Sequence, residues 1–508
     1  MNRQLAAWLT RYRYPLAVIS LIITVAFGYG LSKAWFQTGY RIFFAPDNPF
    51  MQAHDYIEES FTESDTLSLI VAARDGDLFT PRALTALEEL TEEGWQVPFS
   101  IRVDSLANYQ HTWAEGDDLI VEPLFENCAD MSSETIRQRR DIALNEPTLV
   151  SSLISPDGRV TLVNVTLQLP SDESDAGVRD RMLVDYARDL KRTFSERYPE
   201  LEFHVFGQVT INNAFNEMTE HDMSVLFPAM FAILFAALFI LLMMAGLSWL
   251  GSLLAASSVM LVIGASTAIA MGSAGWFNVP FNAVNAIAPT IILTIAVADC
   301  VHILFSYLNG LRAGETPETA IQESLDINLQ PVFLTSLTTA VGFMALNFSD
   351  TPPMHSLGNL TAIGISAAFF LAVMLLPAIV TLLPLHARAG VRERSHLMEK
   401  FGDAVMARRR LFFWGTLAAT LIALTGISRN TLNDSTFTYF DDTVEFWVSA
   451  NYFEDNLSGF DLISYSLDSG EASGINNPEF LAQVDQFVSW AESQDGVAHV
   501  GSYIPTIK

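Results

Sequence analysis

Long apolar runs alternate with polar stretches along the chain, and seven of these runs are long enough for a membrane-spanning helix. A helix needs roughly 20 predominantly apolar residues to cross the hydrocarbon core of a bilayer. The runs lie at about 14–34, 224–245, 249–271, 285–308, 331–348, 357–384 and 411–428. The pattern therefore predicts a polytopic α-helical membrane protein.

Residues 40–222, between the first two runs, show the mixed pattern of a folded domain. Alternating or β-branched segments predict strands at 66–73, at the end of 95–106, at 159–169 and at 201–207. Helical spacing predicts helices at 79–94, at 132–144 with Ser132 as the better N-cap, at 175–198 and at 209–224. Because strands and helices alternate, we expect an α+β domain with helices on one face of a sheet.

The charges follow the same division. The chain of 508 residues has 28 Lys+Arg and 57 Asp+Glu, a formal charge of −29, yet Asp299 is the only charged residue among the 89 positions of 223–311. Residues 40–222 hold 35 acidic and 14 basic residues. So acidic a chain lacks the basic face that nucleic acid requires. Two cysteines, Cys128 and Cys300, cannot form a disulfide framework or a four-ligand metal site.

Basic residues predict the orientation in the membrane. Arg3, Arg11 and Arg13 precede the first run, and a second basic group, which stands between the sixth and seventh runs, comprises Arg388, Arg392, Arg394, Lys400, Arg408, Arg409 and Arg410. Both groups fall on one side if every run crosses, and that side is the cytoplasm. The predicted regions are 1–39 (N-terminus and first helix), 40–222 (outer domain), 223–385 (helices two to six), 386–410 (basic linker), 411–429 (helix seven) and 430–508 (start of a second outer domain).

Motifs of soluble enzymes do not appear. His54, His111, His204 and His221 have no metal-ligand spacing. The sequence contains neither a GxxxxGK[ST] phosphate loop nor a serine nucleophile elbow. We therefore expect no catalytic site, no metal and no cofactor.

An internal repeat is indicated at an offset of 396. DYIEESFTESDTLSLIV (55–71) resembles NYFEDNLSGFDLISYSL (451–467), with identities at Tyr56/Tyr452, Glu58/Glu454, Asp65/Asp461 and Ser68/Ser464. The same offset aligns Arg13 with Arg409 and the first apolar run with the seventh. Each unit would be a helix, an outer domain and five further helices. A second unit that starts at about 400 predicts that the chain is a fragment or a truncated product.

Asp299 lies near the middle of the fourth apolar run. A carboxylate there costs at least roughly 2.5–3.5 kcal/mol, and apolar surroundings favour its neutral form, so it is expected to carry a proton. His302, three residues on, is a second candidate for the proton relay. Hydroxyl groups of the fifth run at similar depth could support the relay or simply hydrogen-bond between helices: Thr335, Ser336, Thr338 and Thr339. Gly264, Ala268 and Gly272 form a small-residue stripe that is typical of close helix packing.

The chain resembles the resistance-nodulation-division superfamily, in particular exporters of the mycobacterial-membrane-large-protein (MMPL) type. YRIFFAPDNPF (40–50), VDSLANYQHT (103–112) and APTIILTIAVADCVHIL (288–304) carry the resemblance, which covers the entire chain. It implies six-helix halves with porter-like outer domains, and a sterol-sensing-domain-like arrangement of helices two to six. It also implies that Asp299 belongs to a proton relay.

The expected function is export or inter-membrane transfer of hydrophobic or amphiphilic molecules, lipids above all, driven by the proton-motive force at a bacterial inner membrane. Membrane lipids and protons are the other expected partners, and the sequence leaves open whether the chain forms a homo-oligomer. Two alternatives remain: a lipid-binding sensor or scaffold that does not transport, and a helper of protein translocation.

Overall fold

The computed structural model describes residues 2–37, 39–61, 65–74, 76–115, 118–170, 175–385, 396–431, 439–459 and 462–504. Its helices are α1 (Asn2–Arg11), α2 (Arg13–Gly28), α3 (Pro49–Ser60), α4 (Pro81–Gly94), α5 (Ser133–Asn145), α6 (Ala176–Arg197), α7 (Gln208–His221), α8 (Phe227–Met244), α9 (Trp249–Trp276), α10 (Ala288–Arg312), α11 (Pro317–Met344), α12 (Pro352–Leu382), α13 (His396–Ala407), α14 (Arg409–Thr425), α15 (Glu445–Asn456) and α16 (Pro478–Glu492). Its strands are β1 (Thr66–Ala73), β2 (Ser100–Asp104), β3 (Gln110–Glu115), β4 (Asp118–Pro123), β5 (Val160–Leu167) and β6 (Leu201–Phe206).

The chain divides into two compact units. The helical unit comprises residues 1–35 and 220–438, and the α/β unit comprises residues 36–219 and 439–508. Of the basic linker, Arg388, Arg392 and Arg394 lie outside the described residues, as does Asp461 of the predicted repeat.

Seven helical segments of the described chain are long and apolar enough to cross a membrane, which confirms the predicted polytopic helical fold. They are Arg13–Lys33, Gln208–Met244, Trp249–Trp276, Asn285–Arg312, Pro317–Phe348, Pro352–Leu382 and Arg409–Arg429. Two start well before the predicted apolar runs. The 37-residue segment Gln208–Met244 includes the polar helix α7 and a π-helical turn at Asp222–Leu226, and α11 starts at Pro317.

The core of the helical unit lies where α9, α10 and α12 pack together. Their buried faces are aliphatic and include Val259, Ile303 and Leu376, each fully buried. The Tyr307 hydroxyl of α10 donates a hydrogen bond to the Val380 carbonyl of α12 at 3.2 Å. These contacts fix α10 between its neighbours.

Glycines bring α2 and its 3₁₀-helical extension against α9. A Cβ atom added at Gly272 would overlap the Phe27 carbonyl, and one added at Gly30 would overlap the Gly272 carbonyl. Ala268 also faces this contact, at Gly28, whereas Gly264 faces open space. The predicted small-residue stripe thus packs at two of its three positions, because backbones can approach so closely only where side chains are absent.

The sheet of the α/β unit is antiparallel, with the strand order β2-β5-β1-β6. Leu67, Leu69 and Val71 of β1 point to one face and share a core with α4 and α6. The Ser132 hydroxyl caps α5 by accepting from the Thr135 amide at 3.1 Å, as predicted. The β3–β4 hairpin was not predicted, because its residues show no clear apolar alternation.

The opposite face of the sheet is covered by α15, which lies far along the sequence. Leu457, immediately after α15, joins Ile70 and Ala72 of β1 in a second, smaller core. Within residues 40–222, the helices lie on one face of the sheet, as expected. The α15 helix, which comes from the predicted region 430–508, covers the other face.

The helix boundaries repeat along the chain. The spans Arg13–Lys33 and Arg409–Arg429 are 396 residues apart at both ends, as are α3 and α15. The α4 and α16 helices start 397 residues apart, at Pro81 and Pro478. These matched bounds agree with the internal repeat, which stays a prediction. Residues 462–469, which align with β1, form no strand in the described structure.

Candidate functional site

Asp299 lies inside the helical unit, in the middle of α10. Its side chain is 2% exposed, and Ala296, Cys300 and Ile303 on the same buried side of the helix are fully buried. The Ser336 hydroxyl of α11 donates a hydrogen bond to Asp299 Oδ2 at 2.9 Å. Ser336 is itself 3% exposed, so the pair is enclosed between the two helices.

A polar seam continues from this pair along the contact between α10 and α11. The Asn328 side-chain amide donates to the Ser306 hydroxyl at 2.7 Å, and the Ser324 hydroxyl donates to the Ile303 carbonyl at 2.6 Å. Asp299 pairs with Ser336 late in α11, whereas the later α10 positions 303 and 306 pair with the earlier α11 positions 324 and 328, so the helices are antiparallel. Asp299 is the acidic member of a row of otherwise neutral polar groups.

This seam was only partly found from the sequence. Ser324, Asn328 and Ser336 lie four or eight residues apart on α11, together with the buried Val332 and Ala340. Such spacing places side chains on one face of a helix. Reading the polar residues of α11 at this spacing would have identified Asn328 and Ser324, which the prediction omitted.

The three predicted threonines bond elsewhere in the structure. The hydroxyls of Thr335, Thr338 and Thr339 donate to carbonyls of their own helix: those of Pro331 at 2.9 Å, Leu334 at 2.8 Å and Thr335 at 2.7 Å. Thr335 and Thr338 are exposed, and Thr339 is half-buried. The structure therefore brings Ser336, and none of these threonines, to Asp299.

His302 is exposed, although it lies one turn beyond the buried Asp299. A step of three residues rotates a side chain by about 60° from its starting direction in a helix with 3.6 residues per turn. That rotation takes His302 out of the buried stripe of α10. Its place in the relay stays a prediction.

The arrangement suits the binding of a single proton. A serine hydroxyl can donate to an ionised carboxylate and can accept from a protonated one, so the Asp299–Ser336 hydrogen bond can persist in both states. The described residues contain no group of three or more His, Cys, Asp or Glu side chains that could hold a metal ion.

Comparison with known proteins agrees with this architecture. The MMPL family model matches residues 43–421, three quarters of the chain. The chain belongs to the MMPL family. The match runs from the segment before α3 into the second half of α14 and includes the Asp299–Ser336 pair.

Two membrane proteins are similar to this chain over different lengths. The membrane protein MJ1562 of Methanocaldococcus jannaschii is 21% identical over 378 residues, which cover 73% of this chain and 90% of that protein. The sulfolipid-1 exporter MmpL8 of Mycobacterium tuberculosis is 24% identical over 213 residues, which cover 39% of this chain. The matched residues make up 18% of the exporter, so the similarity spans less than a fifth of its length.

Proposed function

We propose that the protein is a secondary-active transporter that exports hydrophobic or amphiphilic molecules, lipids by class, with energy from the proton-motive force. The observation that carries the proposal is the buried Asp299 carboxyl, which is hydrogen-bonded to Ser336 in a stretch of 89 residues with no other charged side chain. Ionisable groups inside membrane spans mark ion and proton pathways, because their insertion is costly.

Proton binding at Asp299 would change the charge of the contact between α10 and α11. The potential alone supplies about 2.3 kcal/mol per elementary charge per 100 mV, which is comparable with the cost of a buried carboxylate. Pro331 lies inside α11, and its missing amide leaves the Ile327 carbonyl without the usual helical donor. Proline is a common cause of helix bending, so α11 has a place to bend five residues before Ser336.

The class of substrate is supported by the family. MMPL membership and the similarity to a sulfolipid-1 exporter favour a lipid or another amphiphile. The basic ends of the membrane spans favour a cytoplasmic N-terminus in a bacterial inner membrane, with the acidic α/β unit on the periplasmic side.

The relay is proposed to consist of Asp299, with Ser336 as the residue that positions its carboxyl. His302 and the hydroxyls of Thr335, Thr338 and Thr339 are secondary candidates, which could pass protons to Asp299 through water. Single replacement by alanine tests each of them, and an unchanged proton flux excludes the residue from the relay.

The central test is Asp299→Asn, which keeps the shape of the side chain and removes its titration. Purified protein in proteoliposomes would receive a pH gradient, and the movement of a fluorescently labelled phospholipid would be followed. We expect the wild type to move the probe only with the gradient and Asp299→Asn to move none. Thr294→Ala removes an α10 hydroxyl that bonds to the Ile291 carbonyl of its own helix, so it is the matched control and should behave as wild type.

Two results would contradict the proposal. Equal gradient-driven movement by Asp299→Asn would exclude this carboxyl as the coupling group. Probe binding by the wild type without any gradient-driven movement would favour a lipid sensor or scaffold.

A further inference from the structure

Helix α1 lies immediately before the first candidate membrane span. It has 10 residues, Asn2–Arg11, and the span starts at Arg13. A helix of this length is about 15 Å long, whereas a helix that crosses a bilayer needs roughly 20 residues. The α1 helix is therefore too short to cross the membrane, and it ends beside a segment that is long enough to do so.

One face of α1 is docked on the helical unit. Ala6 and Leu9 are 0% and 4% exposed, and both belong to the core that the membrane helices share. The helix packs chiefly against α11 and also contacts α12. This docked face fixes the direction in which the remaining side chains of α1 point.

Two ion pairs align α1 with the first half of α11. Arg3 lies 3.3 Å from Asp326, and Arg13, at the start of α2, lies 3.1 Å from Glu318. The earlier arginine pairs with the later acid, so α1 runs antiparallel to the part of α11 that precedes Pro331. Ion pairs near a surface contribute little to stability. They set the register, while the apolar contacts hold the helix.

A second face of α1 carries an exposed stripe, which comprises Leu5, Trp8 and Tyr12. These side chains are 45%, 48% and 41% exposed. Spacings of three and four residues place them on one side of the helix, and the rings of Trp8 and Tyr12 have centroids 5.5 Å apart. With about 100° of rotation per residue, the stripe is turned about 120° away from the docked face.

The third face of α1 is polar and comprises Gln4, Ala7 and Arg11, all exposed. The Arg11 guanidinium lies 5.7 Å from the centroid of the Tyr12 ring, at the edge of the exposed stripe. Helices that lie in the plane of a membrane surface combine an apolar face with an arginine-bearing polar face. Tryptophan and tyrosine are also enriched at the boundary between membrane and water.

We propose that the exposed stripe of α1 binds the phospholipid leaflet on the N-terminal side of the membrane. The helix would lie in the plane of the leaflet, with the stripe among the head groups and upper acyl chains and the polar face toward water. Its docked face would tie the first half of α11 to this surface. The occupant is lipid because α1 ends where a membrane span begins. The inference rests on the faces of α1 and is independent of proton coupling.

A fluorescent label tests which face of α1 meets lipid. Leu5→Cys places a bimane label on the stripe, and Ala7→Cys is the matched control on the polar face. The full chain would be placed in nanodiscs of phosphatidylethanolamine and phosphatidylglycerol, with or without bromine on the acyl chains. Bromine quenches labels that touch the chains, and iodide quenches labels in water. Cys128 and Cys300 are buried, and wild-type protein gives their background labelling.

We expect brominated lipid to quench the label at Leu5→Cys and to leave the label at Ala7→Cys bright. If the stripe is inserted in nine copies of ten, iodide should quench the label about tenfold less at Leu5→Cys than at Ala7→Cys. Equal iodide quenching at both positions would place the stripe in water and overturn the proposal. A label at Leu5→Cys that neither quencher reaches would overturn it in favour of a protein partner. Equal quenching by brominated lipid would overturn the proposed orientation.

Hydrogen exchange of the α1 amides gives an independent readout without a label. The variant with both Leu5→Ser and Trp8→Ser loses the apolar stripe and keeps the docked face, and Ala7→Ser is its matched control. In nanodiscs, the double variant should exchange the amides of α1 about tenfold faster than wild type, because its helix leaves the surface more often. Unchanged exchange in the double variant would contradict lipid binding. Equal acceleration in Ala7→Ser would assign the effect to helix propensity and overturn the proposal as well.

Discussion

Asp299 in the helical unit and Asp180 in the α/β unit are each 2% exposed, yet their carboxyl groups have different neighbours. Asp299 accepts a hydrogen bond from Ser336, in a region without other charged residues. Asp180 Oδ1 has no hydrogen-bond partner among the described residues, although Arg179 and Asp65 act on the group electrostatically. Burial is therefore common to both carboxyl groups, and Asp299 has a hydroxyl partner that can follow a change of protonation.

Burial raises the pKa of Asp180 to about 7, because desolvation disfavours the charged form; Arg179 opposes this shift and Asp65 adds to it. The carboxyl is thus costly to ionise in the folded state, and it belongs to the α/β unit, which contains no residue of the proposed relay. The contrast suggests that burial alone does not identify a coupling residue. A hydrogen-bonding partner and an apolar membrane setting are also needed.

The largest expected effect separates the two carboxyls by function. In the lipid-movement assay, Asp299→Asn should lose gradient-driven movement, and Asp180→Asn should keep the wild-type rate because it removes no proposed relay group. Loss of transport in both variants, with both proteins folded by circular dichroism, would remove the functional distinction.

The next effect is on stability. Because the folded-state pKa of Asp180 lies above its usual value of 3.8, its ionisation favours unfolding, and stability should fall as pH rises from about 4 to about 7. The loss is at most about 4 kcal/mol. Asp180→Asn should remove this component and be the more stable protein at pH 8.

Denaturant unfolding in detergent at pH 5 and pH 8, followed by tryptophan fluorescence, measures this difference. The free energy of unfolding of Asp180→Asn, relative to that of the wild type, should increase as pH rises. If the stability of both proteins has the same pH dependence, the ionisation of Asp180 does not destabilise the fold as described.

A smaller effect is expected at Ser336. A hydrogen bond contributes about 1 kcal/mol, so Ser336→Ala should slow gradient-driven movement about fivefold. Ser336→Thr keeps a hydroxyl and should restore most of the rate, and the control Thr294→Ala should change nothing. Equal rates for Ser336→Ala and wild type would show that Asp299 works without this partner.

The smallest effect concerns the environment of Asp180. Asp65→Asn removes a like charge and should lower the folded-state pKa of Asp180, so that its stability loss ends at a lower pH and is smaller. Unfolding curves collected at small pH steps would detect the shift. A shift to higher pH would mean that Asp65 acts on this carboxyl in another way.

Much of the fold could be predicted, because membrane spans and sheet strands leave strong local patterns. The seven apolar runs and the strand 66–73 are examples. The start of α11 could not be placed by hydropathy, because Glu318, Glu323 and Asp326 interrupt the apolar residues of its first half. The layer formed by α15 was also missed, since its contact with β6 joins residues about 250 positions apart.

The site shows a similar limit. Depth in the membrane correctly grouped Ser336 with Asp299, because helices of equal rise place the two at similar height. Direction around the helix decided which hydroxyl reaches the carboxyl, and depth carries no such information for Thr335, Thr338 or Thr339. The spacing of the polar residues on α11 indicates the direction in which each hydroxyl points. The prediction from sequence grouped the hydroxyls by depth and did not use this spacing.

The most direct measurement is infrared difference spectroscopy of the carboxyl carbonyl band, with Asp180→Asn as the background so that Asp180 cannot contribute. We predict a band from a protonated carboxyl that decreases as the pH is raised and that is absent when Asp299→Asn is added. A spectrum in which Asp299→Asn removes no pH-dependent carboxyl band would contradict the claim that Asp299 binds and releases the coupling proton.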